Sequence, residues 1–210
     1  MGILEIFRRN GFFNVVYKVL SLVRSKYIAK KLSYGSGFFV GLSTLWIGGR
    51  GAKIGNGFKM GRRGRVEVIH FHNGNVYSPS LTIGDSVSLN DDVHIACIEA
   101  VTIGNDVLMA SKIFISDHDH GGYNGPFHDS PAVSPNDRNL VSKPVVIGNR
   151  VWIGEMVSIL PGVTIGHGSI IGAGSVVTKS LPENCIAVGV PAKVVKRFNQ
   201  DLQIWEKNHE

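Results

Sequence analysis

Cysteine, proline and long apolar runs are scarce in this 210-residue sequence, and each scarcity excludes something. Two cysteines, Cys97 and Cys185, cannot build a disulfide framework or a four-thiolate zinc site. Prolines number 8, and the 26 glycines follow no Gly-x-y period, so the chain is not collagen-like. The most apolar stretch, residues 11–23, is interrupted by Lys18 and falls short of the roughly 20 apolar residues of a spanning helix. It lacks a small-residue cleavage site and leads into the basic run RSKYIAKK, so no secretory signal is expected and the cytoplasm is the expected compartment. A hydrophobic content of 43% with a net charge of +6 excludes a disordered chain. The length suits one domain with an appendage.

Glycine is what the sequence has in excess, and it recurs in register. Ile147, Ile153, Ile159, Ile165, Ile171 and Val177 stand six apart, and glycine follows at 148, 154, 166 and 172. Four residues after each of the first five aliphatics comes Val151, Val157, Val163, Ser169 or Ser175. Neither the 3.6-residue helical period nor strict strand alternation fits this pattern. Six residues suit a short strand plus a corner, with the aliphatic inward and glycine where backbones approach closely. The same period runs through Ile54, Met60 and Val66 and through Ile83, Leu89, Ile95 and Val101. It then slips by two residues to Ile103, Met109 and Ile115. Internal repetition of this kind makes a solenoid.

Between Ile115 and Ile147 the period fails, and the segment is rich in Asp, His, Gly, Pro, Ser and Asn. A long excursion from a regular scaffold is commonly functional. Residues 1–33 place Phe12, Val16, Val19, Leu20, Val23 and Tyr27 near helical spacing among Lys and Arg. Such a helix would cover the open first coil or lie on an anionic lipid surface. After Pro191 the sequence AKVVKRFNQDLQIWEKNHE reads as a C-terminal helix. Residues 1–35 hold seven Lys and Arg against Glu5, so the whole net charge of +6 belongs to them. The neutral remainder argues against nucleic acid along the solenoid.

The excursion opens on Asp117-His118-Asp119-His120-Gly121. Histidine can take a proton from a hydroxyl near neutral pH, and a neighbouring carboxylate can fix its tautomer. A solvated loop and a metal site are the plain alternatives for this composition. His70, His72 and His94 lack the spacing that a three-histidine zinc hydratase requires, and His167 sits at an expected corner.

The chain resembles the hexapeptide-repeat acetyltransferases of maltose, galactoside and nodulation-factor type, and among them bacterial O-acetyltransferases of lipopolysaccharide O-antigen and capsule synthesis. The motifs SDH-x-HG, VWIGE, ILPG, IGAGSVV and GVPAK carry the likeness over about residues 45–200. What the resemblance implies is an all-β solenoid, a left-handed parallel β-helix of hexapeptide repeats. Helical segments at both termini and one long inserted loop complete the expected fold. The expected division is an N-terminal helical cap or membrane-surface segment over 1–40, the β-helix over 41–190 with its loop at 117–146, and a C-terminal helix over 191–210.

The resemblance also implies a homotrimer using acetyl-CoA, with a histidine base in a cleft between subunits and no metal. Counting from Val107 without gaps puts that base at His120; one gap puts it at His118. The ungapped count is preferred, with Asp117, Asp119 or His118 orienting the ring. Asn90, Asp117 and Asp119 are the expected acceptor-binding residues. Ala110 and Trp152 match positions lining the pantetheine arm, and Ala173, Thr178 and Lys179 match coenzyme A contacts. Lys193 and Lys196 match basic residues near the adenosine phosphates, where the galactoside enzymes carry arginines. Glu155 replaces a serine and departs from the pattern.

The expected activity is acetyl-CoA-dependent O-acetyl transfer to a sugar hydroxyl of a polysaccharide, O-antigen or lipid-linked precursor. No nucleic acid partner is expected, and residues 1–35 are expected to touch anionic membrane on its cytoplasmic face. N-acetylation of an amino-sugar nucleotide or small amine is the alternative, followed by a non-catalytic β-helical binding protein. Cys97 reads as a small core residue, so direct transfer in a ternary complex is expected rather than an acetyl-enzyme.

Overall fold

A six-residue period leaves room for two residues of strand and one corner per repeat, and the chain turns after each inward aliphatic. The computed structural model describes residues 3–124, 126 and 128–208, with side chains from residue 11 onward. Three sheets result, each visited once per coil for six coils. The first sheet begins at Ser33–Tyr34 and ends at Thr164–Ile165; the second begins at Phe39–Val40 and the third at Leu45–Ile47. All pairings along these coils are parallel and in register, so that Leu89, Met109, Ile153 and Ile171 form one column. The structure is therefore a three-sided parallel β-solenoid.

Every aliphatic of the period is buried, from Ile54 through Val177, and together they form one continuous core. Branched side chains stacked on pleated backbone fill this interior with little rotamer freedom to lose. The two-residue slip in the period has a location. It falls at the corner between third and first sheets, where Ile98 and Glu99 add length before Ala100–Ile103. Both longer insertions, residues 69–79 and 117–144, leave the solenoid at this same corner.

The corner between first and second sheets shows what the recurring glycine does. There the amide of each coil donates to a side chain of the next: Ser36 to Asn56, Asn56 to Asp85, Asp85 to Asn105, and Asn105 to Asn149. The last rung is His167, whose Nδ1 accepts from the Asn149 amide at 2.8 Å. A Cβ at Gly148 would lie 2.7 Å from that Nδ1, so the glycine is required by the ladder and not by a turn. Left-handed backbone falls two residues later, at Ser86, Asp106 and Arg150.

An open first coil would leave unpaired strand edges, and the N-terminal helix, Ile3–Ala29, covers it. Gly11, at φ 73°, breaks the helix early. Ser25 Oγ accepts the Val40 amide at 2.9 Å, and Arg24 donates to the Thr44 carbonyl at 3.1 Å. Beneath the helix, Phe38 stacks on Phe58 at 5.5 Å with Trp46 alongside.

The C-terminal helix expected over 191–210 is not found among the described residues, which reach 208; Lys193–Asn199 and Ile204–Lys207 form an antiparallel hairpin on the second sheet. Val194 and Val195 favour strand, and Phe198 stands directly opposite Trp205 with ring centroids 5.2 Å apart. Asn199 Oδ1 accepts the amides of Asp201 and Leu202, which sets the turn. The hairpin thereby continues the sheet past Cys185–Val188.

The ladder makes a prediction about His167. Removing its ring in His167→Ala should cost about 1 kcal/mol in denaturant unfolding, the usual worth of one hydrogen bond. His167→Asn should restore most of that loss, because an amide oxygen can take the place of Nδ1.

Candidate active site

The corner between third and first sheets collects the chemistry-bearing residues. Residues Phe71–His72 and Asn75–Val76 pair as a hairpin whose turn is Asn73-Gly74, both left-handed. Two coils further on, His118–His120 pairs antiparallel with Leu140–Ser142. The two insertions meet: Asn75 Nδ2 donates to Asn139 Oδ1 at 2.8 Å, and Asn73 Nδ2 donates to the Asn136 carbonyl. The rings of His72 and His120 lie edge to face at 5.6 Å.

Asp117 anchors this corner. It is 0% exposed, and its carboxylate accepts the Ile98 and Glu99 amides of the coil beneath at 3.0 and 2.9 Å. Its Oδ1 also accepts from His118 Nδ1 at 2.8 Å. Burial opposes its ionisation, yet the hydrogen bonds from His118 and the two amides outweigh that and hold Asp117 below the ordinary aspartate range. Enclosed in this way, Asp117 cannot touch an acceptor as the sequence suggested; it positions the His118–His120 strand. Cys97 lies beside it, and burial first, then the Asp117 charge, push its thiol up to about 12. A thiol so protonated is no nucleophile.

Strand alternation puts His118 and His120 on one face and Asp119 on the other. His118 is nearly buried, with 9% of its side chain exposed, whereas His120 is exposed. Gly121, at φ 107°, follows because a Cβ there would meet Tyr123 Oη at 2.8 Å and Arg138 Cδ at 3.0 Å. Tyr123 donates to the His120 carbonyl and accepts from Arg138 Nη1 at 2.7 Å, which fixes the strand end. On the Asp119 side a cleft of about 320 Å³ is lined by Asp119, Tyr123, Val141, Lys143, Pro161 and Thr178. Lys143 went unnoticed in the sequence because it stands outside any repeat.

Of the remaining residues, Thr178 and Lys179 share this corner and the others lie elsewhere. Asn90 and Ala110 occupy successive coils at the corner between second and third sheets, after the paired Leu89 and Met109. Ala173 sits at that corner one coil past Glu155, and Thr178 and Lys179 follow Val177 at the third-to-first corner. Trp152, 51% exposed, follows Leu108 in an outward row on the second sheet, and from Trp152 the row continues through Ile170 and Ile186 to Lys196. Three strand spacings of ~4.8 Å make that row about 14 Å long. Lys207 stands directly opposite Lys196, and Lys193 pairs with Val188 on the same hairpin. In a three-sided prism the second sheet faces away from the third-to-first corner. One chain therefore does not bring Trp152 and His120 together.

His94 Nε2 donates to Glu67 Oε2 at 2.8 Å, and Glu67 also pairs with Arg65. Among the described residues no three His, Cys, Asp or Glu side chains converge as a metal-holding group.

Comparison with known proteins agrees with this architecture. The family described as bacterial transferase hexapeptide (six repeats) matches residues 144–179. WcaF of Escherichia coli (strain K12), assigned as a colanic acid biosynthesis acetyltransferase, is 32% identical over 148 residues, 70% of this chain and 69% of that protein. The chain thus belongs to the hexapeptide-repeat transferase family. WbbJ of the same organism, assigned as a lipopolysaccharide biosynthesis O-acetyl transferase, is 54% identical over 125 residues, 59% of this chain and 63% of that protein. The match spans less than two thirds of WbbJ. The crystal structure of a point mutant of AntD, an N-acyltransferase of Bacillus cereus, in complex with a dTDP-amino sugar and coenzyme A, shares the fold at TM-score 0.63 and 21% identity. It covers 81% of this chain and 85% of that one.

Asp117 supplies the next prediction. Its depressed pKa means that its stabilisation is full above about pH 4, the unfolded aspartate value, and fades as pH falls through the folded value. Asp117→Asn should lower unfolding free energy at pH 7 by about 2–3 kcal/mol, the scale of hydrogen bonds to a charged group. The gap to the natural protein should close as the medium is made more acid than pH 4, followed by thermal melting.

Proposed function

We propose that the protein transfers acetyl from acetyl-CoA to a hydroxyl of a sugar in a polysaccharide, O-antigen or lipid-linked glycan precursor. The acting form is a homotrimer of left-handed β-helices on the cytoplasmic side, with each active site shared between two subunits. The observation that carries this reading is the split of the expected site. His120 and Asp119 stand at one corner, while Asn90, Ala110, Trp152 and Lys196 belong to the second sheet and its far corner. Packing the corner of one subunit against the second sheet of the next completes a cleft that one chain leaves open.

In that cleft the row from Trp152 to Lys196 receives coenzyme A lengthwise. Its apolar part meets Trp152, Ile170 and Ile186, and its phosphates meet Lys193 and Lys196 at the hairpin. Lysines there act as point charges on phosphate rather than as bidentate clamps. The meeting of the 69–79 and 117–144 insertions gives the acceptor a polar floor of Asn73, Asn75 and Asn139.

His120 takes the proton of the acceptor hydroxyl as its oxygen attacks the thioester carbonyl. The carbon–oxygen bond forms, the carbon–sulfur bond breaks, and the proton returns through His120 to the departing thiolate. Both reactants held in one interface make the step effectively unimolecular. Asp117 serves this base at a distance by fixing the strand that carries it, with His118 as the link.

Free thiol release from acetyl-CoA, measured over a panel of sugars, tests the reading. His120→Ala should lose about 10²- to 10⁴-fold in kcat with the trimer intact. Retained turnover in that variant, together with loss in His118→Ala, would assign the base to His118. Turnover with amino sugars alone would favour N-acetylation. Absence of thiol release with every acceptor would overturn the proposal.

A further inference from the structure

The N-terminal helix is packed the wrong way round for a core element. Its solenoid-facing side carries Ser21, Ser25, Ile28 and Ala29, all buried, with Ser21 at 0% and Ser25 at 3% exposure. The opposite side carries Phe13, Val16, Leu20, Val23 and Tyr27, spaced alternately three and four residues, which is one helical stripe. All five are exposed, Phe13 at 86% and Val23 at 63%. A helix whose polar small residues face the fold and whose large apolar residues face outward has a second surface to cover.

Charge says what covers it. From residue 6 to residue 66 the sequence holds thirteen Lys and Arg and no Asp or Glu. From residue 67 to the end it holds nine Lys and Arg against fifteen Asp and Glu. The helix-capped end of the solenoid is thus strongly positive and the rest of the prism is acidic. Arg62 and Arg63 are drawn to Asp91 and Asp92 of the neighbouring coil, and Arg65 to Glu67 of its own strand. Lys26, Lys30 and Lys31 flank or extend the apolar stripe, with Lys31 over the Tyr27 ring at 5.4 Å.

We infer that this helix docks the protein on an anionic lipid bilayer, the stripe entering the interface and the flanking lysines meeting headgroups. No helix among the described residues is long and apolar enough to cross a membrane, so the contact is interfacial. A second copy of the chain is the poorer occupant. The stripe runs only two heptads, short of a stable coiled coil. Its flanking positions carry one sign of charge, so like would face like across a self-pairing. The inference goes beyond the proposed activity and stands or falls apart from it, because no acetyl donor or acceptor enters its test.

The test is sedimentation of the full chain with phosphatidylcholine vesicles, with and without about 30% phosphatidylglycerol. Binding is expected to the mixed vesicles only, weakening as salt is raised. Lys26→Gln with Lys30→Gln should weaken it about thirtyfold, at the usual worth of a juxtamembrane charge. Phe13→Ser with Val23→Ser should abolish it while circular dichroism and oligomer mass stay unchanged. Equal sedimentation with and without the anionic lipid, or no effect of the lysine pair, would overturn the inference. So would a fall in oligomer mass on the Phe13→Ser, Val23→Ser change, since the stripe would then be a contact between chains.

Discussion

The backbone hydrogen bonds that hold the three sheets of the solenoid run from each coil to the next, so everything depends on the coils stacking in register. A strand of two residues holds almost nothing by itself. It persists because the aliphatic below and the aliphatic above stand in the same column, as Ile103 does over Ile83 and under Ile147. The corner ladder from Asn56 to His167 enforces the same alignment with side chains, and glycine beside each rung lets the next coil approach. Interruptions are tolerated only where they leave the column intact. That explains why both insertions and the two-residue slip share one corner.

The same stacking leaves two open ends, and the chain closes them by different means. At the first coil a helix presents serine and arginine to edge amides and carbonyls that would otherwise lack partners. At the last coil the second sheet folds back on itself as an antiparallel hairpin. The one closure is positive and apolar on its outer side, and the other places Lys193, Lys196 and Lys207 beyond a row of apolar side chains. Each end thus carries a surface chemistry that the uniform middle lacks.

The solenoid was legible because its period is set by burial, and burial leaves an unambiguous trace in residues such as Ile153 and Val177. The C-terminal hairpin was not, since Val194, Phe198 and Trp205 are spaced acceptably for a helix until a sheet edge is there to receive them. Asp117 was read as a ligand to substrate because a loop carboxylate beside histidine looks the same whether it is solvated or enclosed. Its two amide partners, Ile98 and Glu99, belong to another coil, and no local pattern announces them. His167 stands at a corner that the period predicts, and only the neighbouring coil shows that it completes a ladder whose other rungs are Asn and Asp.

The shared corner has a consequence for how such a protein can change. The hairpin of residues 69–79 and the longer excursion of residues 117–144 are grafted onto different coils and meet outside the solenoid, with Asn73 and Asn75 against Asn136 and Asn139 and the His72 ring against that of His120. Either graft can lengthen, shorten or change composition without moving a single column of the interior. The scaffold is therefore free to keep the outward row of its second sheet constant while the surface at the third-to-first corner is rewritten, one insertion at a time.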